Sequence, residues 1–269
     1  MRVRDFGAFD GPVVLFGGPY SNLAALEALS DVVGDAPAIC TGDVVAYCAD
    51  PVATVNLMQA MAVACIAGNC ERQVAEGALD CGCGFETGSA CDLLSRGWYS
   101  FLSEACDPDT IAWLDDQPEI GVFTQKGRRY GVIHGGVSAI SRFIWPDSSE
   151  EVFLEEISAV EQVLGPIDGV VAGHSGIAFH RRIDRFQWIN AGVIGLPPHD
   201  GRPETRYAVL TDGEVVIERL SYDHAATRKA MRAAGLVQGY QETITTGIWP
   251  SEDVLPPSLR RQRPVSAKG

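Results

Sequence analysis

No run of about eighteen apolar residues occurs in the chain, so no membrane-spanning helix is expected. The opening residues, MRVRDFGAFDG, carry charges where a secretory signal would carry an apolar stretch. A cytoplasmic protein is therefore expected. Basic residues are scarce: 21 Lys and Arg stand against 35 Asp and Glu, a formal net charge of −14. Phosphate-backbone binding needs clustered cations, so no nucleic-acid partner is expected. The same charge leaves open a small phosphorylated molecule held through a metal. There is no C-x-x-C pair among the eight cysteines, so a structural zinc site of the usual spacing is not indicated. Cys81-Gly-Cys83 comes nearest to a metal or redox pair. Without a secretory signal the thiols are expected to be free. No Gly-Lys-Ser/Thr follows the glycines of GCGFETG, which excludes a P-loop there. Internal repeats and an interdomain linker are also missing.

What is present is an ordinary globular composition of 269 residues, 46% hydrophobic and 21% charged. Residues 1–245 read as a single domain. Residues 246–269 read as an extended or disordered tail, because SLRRQRPVSAKG is basic, carries proline and has no apolar period. Within the domain, VVLFGG (13–18), PAICTGDVV (37–45) and CIAGN (65–69) read as strands. A helix capped by Ser21 follows the first and a helix opened by Pro51 follows the second. The β-α-β-α-β rhythm points to a layered α/β core. GALDCGCGFETGSA (77–90) reads as a loop. Helices are expected around Trp98 to Ala105, after Asp107 or Asp109, and over SSEEVFLEEISAVEQVL. GVFTQKGRRYGVIHGG reads as a hairpin turning at Lys126-Gly127. IDGVVAGHSG is a buried strand. Antiparallel strands then follow, with a turn at Asp212-Gly213, and HAATRKAMRAAGL is a late helix.

Four polar residues stand behind β-like runs, each beside glycine: Asp43 in ICTGDVV, Asn69 in CIAGNCE, His134 in YGVIHGG and His174 in VVAGHSG. A buried strand that stops at Gly plus a ligand-type residue delivers that side chain to the sheet's C-terminal edge. One carboxylate, one amide and two imidazoles suit Zn, Mn or Fe and do not favour Ca. A structural reading stands beside this one: turn residues at strand ends and hydrogen-bonded core histidines. His180, His199 and His224 read as surface, turn and solvated residues, and Phe186 and Trp188 as packing.

In this order and spacing, GPYSNLAALEAL, CTGDVVAYCADP, AGNCE, VIHGG, GHSG, INAGVIGLP and RYAVLTDGEV resemble the calcineurin-like metallophosphoesterases. The likeness is to the small bacterial branch with YfcE-like and diadenosine-tetraphosphatase-like members, and runs from about Val13 to Leu236. It implies an αββα sandwich of four layers, with two mixed β-sheets flanked by helices, and two metal ions bridged by one Asp. It places Asp43, Asn69, His134 and His174 on one ion. At the ligand positions of the other ion this chain has Gly18, Tyr20 and Gly176. Cys70 replaces the histidine that assists phosphate binding, and Glu71 takes the Asp/Glu place after it. The resemblance thus implies one divalent transition metal per chain and a phosphoesterase-like hydrolase of altered activity, acting on a small phosphomonoester or phosphodiester. Tyr20, Cys70 and Arg72, with Arg142, are the candidate auxiliary groups. Tyr20 and Cys70 also read as mere filling of vacated space. The alternative is a catalytically inactive binding or scaffolding member, as in the retromer scaffold subunit. A thiol or redox role for Cys70 and Cys81–Cys83 is a third reading.

Overall fold

Strand formation follows the apolar runs, and each sheet collects strands from distant parts of the chain. The computed structural model describes residues 1–261. In chain order the elements begin with β1 (Val3–Phe9), β2 (Val13–Phe16), α1 (Leu23–Val33), β3 (Ala38–Cys40), α2 (Pro51–Ala60) and β4 (Ala64–Cys65). Next come α3 (Asn69–Glu76), α4 (Ala90–Ala105), α5 (Pro108–Asp116), β5 (Ile120–Gln125), β6 (Arg128–Val132) and α6 (Glu150–Leu164). The last are β7 (Gly169–Ala172), β8 (Phe179–Ile183), β9 (Phe186–Asn190), β10 (Thr205–Thr211), β11 (Glu214–Leu220), α7 (His224–Ala233) and α8 (Tyr240–Thr246), and a 3-10 turn follows at Pro257–Leu259.

Two mixed sheets result, in the orders β1-β5-β6-β7-β9-β8 and β11-β10-β2-β3-β4. Alternate residues of one strand face opposite layers, as the two-residue period requires. Val13 and Leu15 of β2 and Ile39 of β3 meet Phe123, Val132, Val171 and Ile189 of the other sheet. Val14, Phe16 and Cys40 face the other way, into a layer with Leu26, Leu29, Met58, Trp98 and Leu114 of the helices. On the far side Phe153, Ile157 and Val160 of α6 pack on Val170 and Trp188. Two sheets face to face between helical layers make the expected αββα sandwich.

Most of the expected elements form, and three departures are instructive. Asn22, not Ser21, caps α1: its Oδ1 accepts from the Ala25 N–H at 3.2 Å. Ser21 instead has a positive φ of 56° and accepts from the Ala46 N–H. The second is β1, which lies on charged N-terminal residues and pairs in parallel with β5 at the sheet edge. Asn69 and the residues after it form the third, because they open α3 and do not continue a strand. The strands after residue 176 are antiparallel in two separate pairs, β8 with β9 and β10 with β11, and β9 also lies parallel to β7. Asp212 and Gly213, at φ 51° and 81°, make the β10–β11 turn, where glycine tolerates the left-handed conformation.

Residues 247–261, expected as part of a loose tail, pack against the body: Leu255 is 1% exposed and Trp249 Nε1–H donates to the Pro197 carbonyl at 2.7 Å. Residues 262–269 lie outside the described residues. No helix among the described residues is long and apolar enough to cross a membrane.

Asn22 joins three parts of the fold. Besides capping α1, it accepts from Thr227 Oγ1 at 2.8 Å and donates to the Gly195 carbonyl at 3.0 Å. Asn22→Ala is therefore expected to cost about 2 kcal/mol, a lost cap plus buried partners left unpaired, read as a lower urea midpoint.

Candidate metal centre

Neighbouring strand ends deliver the four side chains. Asp43 follows β3 through Thr41 and Gly42, and Asn69 follows β4. His134 follows β6 and His174 follows β7. All four are buried. Asp43 and His174 hold positive φ angles of 56° and 60°, which turns the chain sharply where each strand stops. Such a conformation costs a non-glycine residue on the order of 1 kcal/mol, so the loops must be held by other bonds.

Glu71 supplies those bonds. Its carboxylate, fully buried on α3, accepts from the Asp43 and Gly68 N–H groups, each at 2.7 Å, and from Val45 N–H at 3.3 Å. Close packing fixes the rest. A side chain at Gly68 would place Cβ 2.3 Å from Asp43 Oδ1 and 2.8 Å from His134 Cε1. Gly68 is glycine because the carboxylate and imidazole occupy that space. The next residue, Asn69, is fixed by the glycine-rich loop: its Nδ2–H donates to the Cys81 carbonyl at 2.7 Å.

Hydrogen accounting then decides what the cluster can hold. His134 Nδ1 lies 2.7 Å from the Thr41 carbonyl, which can only accept, so Nδ1 carries the proton. In its neutral form the ring turns a lone pair on Nε2 inward. Facing that lone pair are Asn69 Oδ1 at 3.0 Å, His174 Nδ1 at 3.1 Å and Asp43 Oδ2 at 3.3 Å. Asn69 cannot turn its amide to donate here, because its Nδ2 is held by Cys81. Asp43, His134 and His174 offer ligand atoms all within 4.8 Å of one another. Atoms this close are satisfied either by a proton, on His134 Nε2 or His174 Nδ1, or by a cation. The donor set therefore fits a divalent metal of borderline softness.

The titration directions bear on the proton alternative, an imidazolium of His134 paired with the Asp43 carboxylate. Burial alone would lower the pKa of His134, but the charge and hydrogen bond of Asp43 hold it above the ordinary value. Burial would raise Asp43, yet His134 holds it below the ordinary carboxylate range. Burial and the His134 ring push His174 down to about 3, which keeps it neutral and able to ligate. Burial and the Asp43 charge push Glu71 up to about 7.

The auxiliary candidates separate. Tyr20 lines a cavity of about 60 Å³ beside Asp43 and His174. Burial, then the Asp43 charge, raises its phenol, so it stays protonated and can donate. Cys70 lies under the site with its Sγ 3.5 Å from Asn69 Nδ2, and is not among the residues lining that cavity. A thiol bond with Cys83 would lower it, but burial and Asp43 hold it well above the ordinary thiol value. That leaves a neutral thiol. Arg72 does not reach the cavity. Its guanidinium donates to the Gln117 carbonyl at 2.5 Å and pairs with Glu119 at 3.8 Å, at the end of α5. Arg142 is bound to Glu155 and Glu156, each at 2.7 Å. Neither arginine lines the cavity, in contrast to their reading from sequence as auxiliary groups. All eight cysteines are free and buried.

Two lining features escaped the sequence reading. Phe143 lies on the His174 ring, with centroids 4.2 Å apart. Trp249 sits where a side chain at Gly176 would point, 3.4 Å from that position. His199 anchors the Trp249 segment: its Nδ1 accepts from the Trp249 N–H at 2.8 Å and its Nε2 faces Glu252 at 2.7 Å. The apolar residues of GIWPSEDVL were the available signal, obscured by the prolines and the basic end beyond them.

No family model and no curated protein matches the chain. Solved structures do. A metallophosphoesterase from Sphaerobacter thermophilus superposes with a TM-score of 0.69 at 20% identity, over 89% of this chain and 100% of that one. This is the calcineurin-like metallophosphoesterase fold. A hypothetical protein from Pyrococcus horikoshii shares it, with a TM-score of 0.73 at 15% identity over 88% of this chain and 98% of that one. At these identities the likeness is one of fold. On this metallophosphoesterase fold the four donors sit outside the carboxyl ends of adjacent strands, where open α/β sheets bind ligands. Gly18, at φ 39°, has no room for a side chain: its Cβ would lie 2.6 Å from the Tyr20 ring.

Proposed function

We propose that the chain is a metallophosphoesterase-type hydrolase that binds one divalent transition metal, Zn, Mn or Fe, through Asp43, Asn69, His134 and His174, and cleaves a phosphomonoester or phosphodiester with altered activity. The observation that carries this reading is the convergence of four ligand-type side chains, with Asp43, His134 and His174 offering ligand atoms within 4.8 Å of one another and Asn69 Oδ1 lying 3.0 Å from His134 Nε2. A bound divalent ion would polarise a phosphoryl oxygen and acidify water beside it. The chain's own groups do the rest. Thr41 and Cys81 fix which atoms of His134 and Asn69 face inward, and Glu71 holds the Asp43 turn. The neutral Tyr20 phenol donates a hydrogen bond into the cavity, and the aromatic walls limit water. Hydrolysis adds water across one P–O bond: phosphorus gains a hydroxyl oxygen and the ester oxygen leaves with a proton.

The filling of the positions at Gly18 and Gly176 by Tyr20 and Trp249 favours a second reading, a catalytically inactive binding protein on this fold. The two are separated by assay. Purified protein loaded in turn with Zn, Mn and Fe(II) is expected to hydrolyse p-nitrophenyl phosphate esters, and His174→Ala is expected to abolish turnover. Metal uptake without turnover of any ester would replace the hydrolase by the binding protein.

A further inference from the structure

The cavity beside the metal donors is lined by aromatic rings and thiols, with no lysine or arginine among its lining residues. We propose that this site selects singly charged phosphodiesters with small apolar ester groups over doubly charged phosphomonoesters. The inference rests on the metal reading above and names its substrate class.

Charge counting carries it. A divalent ion and the Asp43 carboxylate together leave about one positive charge, and Glu71, against the same turn, can only reduce it. Arg72 and Arg142 are held by carboxylates and carbonyls elsewhere. A monoanion neutralises the remaining charge. A dianion leaves one negative charge unpaired among Tyr47, Phe143, Tyr240 and Trp249, whose ring faces are themselves electron-rich. An unpaired charge in such surroundings is strongly disfavoured. Tyr20 offers a hydrogen bond but no positive charge. The walls point the same way: Val193, Leu196, Val254 and the aromatic rings suit an apolar ester group beside the phosphoryl head.

The test compares phenyl phosphate with methyl phenyl phosphate by calorimetric titration of Mn-loaded protein at about pH 8, where the monoester has passed its second ionisation near ~6 and is doubly charged. The diester is expected to bind at least about tenfold tighter, equivalent to ~1.4 kcal/mol. Ser251→Arg, which adds a cation to the cavity wall, is expected to reverse the order. Equal or tighter binding of the monoester, binding of neither ester, or an order unchanged by Ser251→Arg would overturn the proposal while leaving the metal site standing. A protein that takes up no Mn would overturn the metal reading and this one together.

Discussion

Asp43→Ala is expected to weaken divalent-cation binding by about a hundredfold or more. A complete set of four protein ligands is worth roughly 10–16 kcal/mol for zinc, so an average ligand accounts for about 3 kcal/mol, or two powers of ten. Asp43 should exceed that average, because it is the only carboxylate in the set and the only formal negative charge. The effect on folding without metal is expected to be smaller. Removing Asp43 strands the Cys70 N–H, which donates to its Oδ1 at 3.3 Å, but it also removes the charge that opposes ionisation of Glu71. Thermal melts with and without added Zn separate these effects. The wild-type protein should show a metal-dependent rise in Tm that Asp43→Ala lacks, with the metal-free melts close together. A full metal-dependent shift in Asp43→Ala would show that the cation sits elsewhere.

Glu71→Ala is expected to strike the fold as well as the site, at a cost of about 3 kcal/mol or more. The N–H groups of Asp43, Val45 and Gly68 would all lose their acceptor while remaining buried, and each unsatisfied group costs roughly 1–3 kcal/mol. Glu71→Gln keeps two acceptor lone pairs on its carbonyl oxygen and should recover much of the loss. Chemical denaturation of the three proteins measures this, with cation affinity in parallel. If the alanine and glutamine variants were equally stable and both near wild type, the Asp43 turn would need another anchor.

The layers of the fold were legible because apolar periodicity survives without tertiary information. VVLF, GVVA and the runs around Val122 and Val132 are strands that bury both faces, and α6 carries one apolar stripe. Local features decided by tertiary contacts were not. Ser21 and Asn22 are equally good caps by residue type. Only the loop from 42 to 48, whose Ala46 N–H claims the serine hydroxyl, leaves the cap to asparagine. β1 was hidden because a parallel edge strand with a mostly exposed face carries charge as readily as a loop does.

For the site, glycine beside a ligand-type residue at four strand ends was enough to bring Asp43, Asn69, His134 and His174 together on paper, and the fold makes them neighbours in space. What the sequence could not supply was direction. Arg72 is two residues from Cys70, yet on α3 it points towards α5 and pairs there. Arg142 faces the carboxylates of α6 for the same reason: each arginine has acidic partners that can be found only in three dimensions. Trp249 was unreadable as a wall because its contact with Gly176 spans distant parts of the chain, and its support comes from His199 in yet another loop.

The most direct measurement is the metal content of the purified native protein by elemental analysis, with stoichiometry per chain and Asp43→Ala prepared in parallel. Four donors around one point, beside positions taken up by Tyr20 and Trp249, predict one transition-metal ion per chain in the native protein and a markedly lower content in the variant. Two ions per chain, none, or a content undiminished in Asp43→Ala would contradict the account.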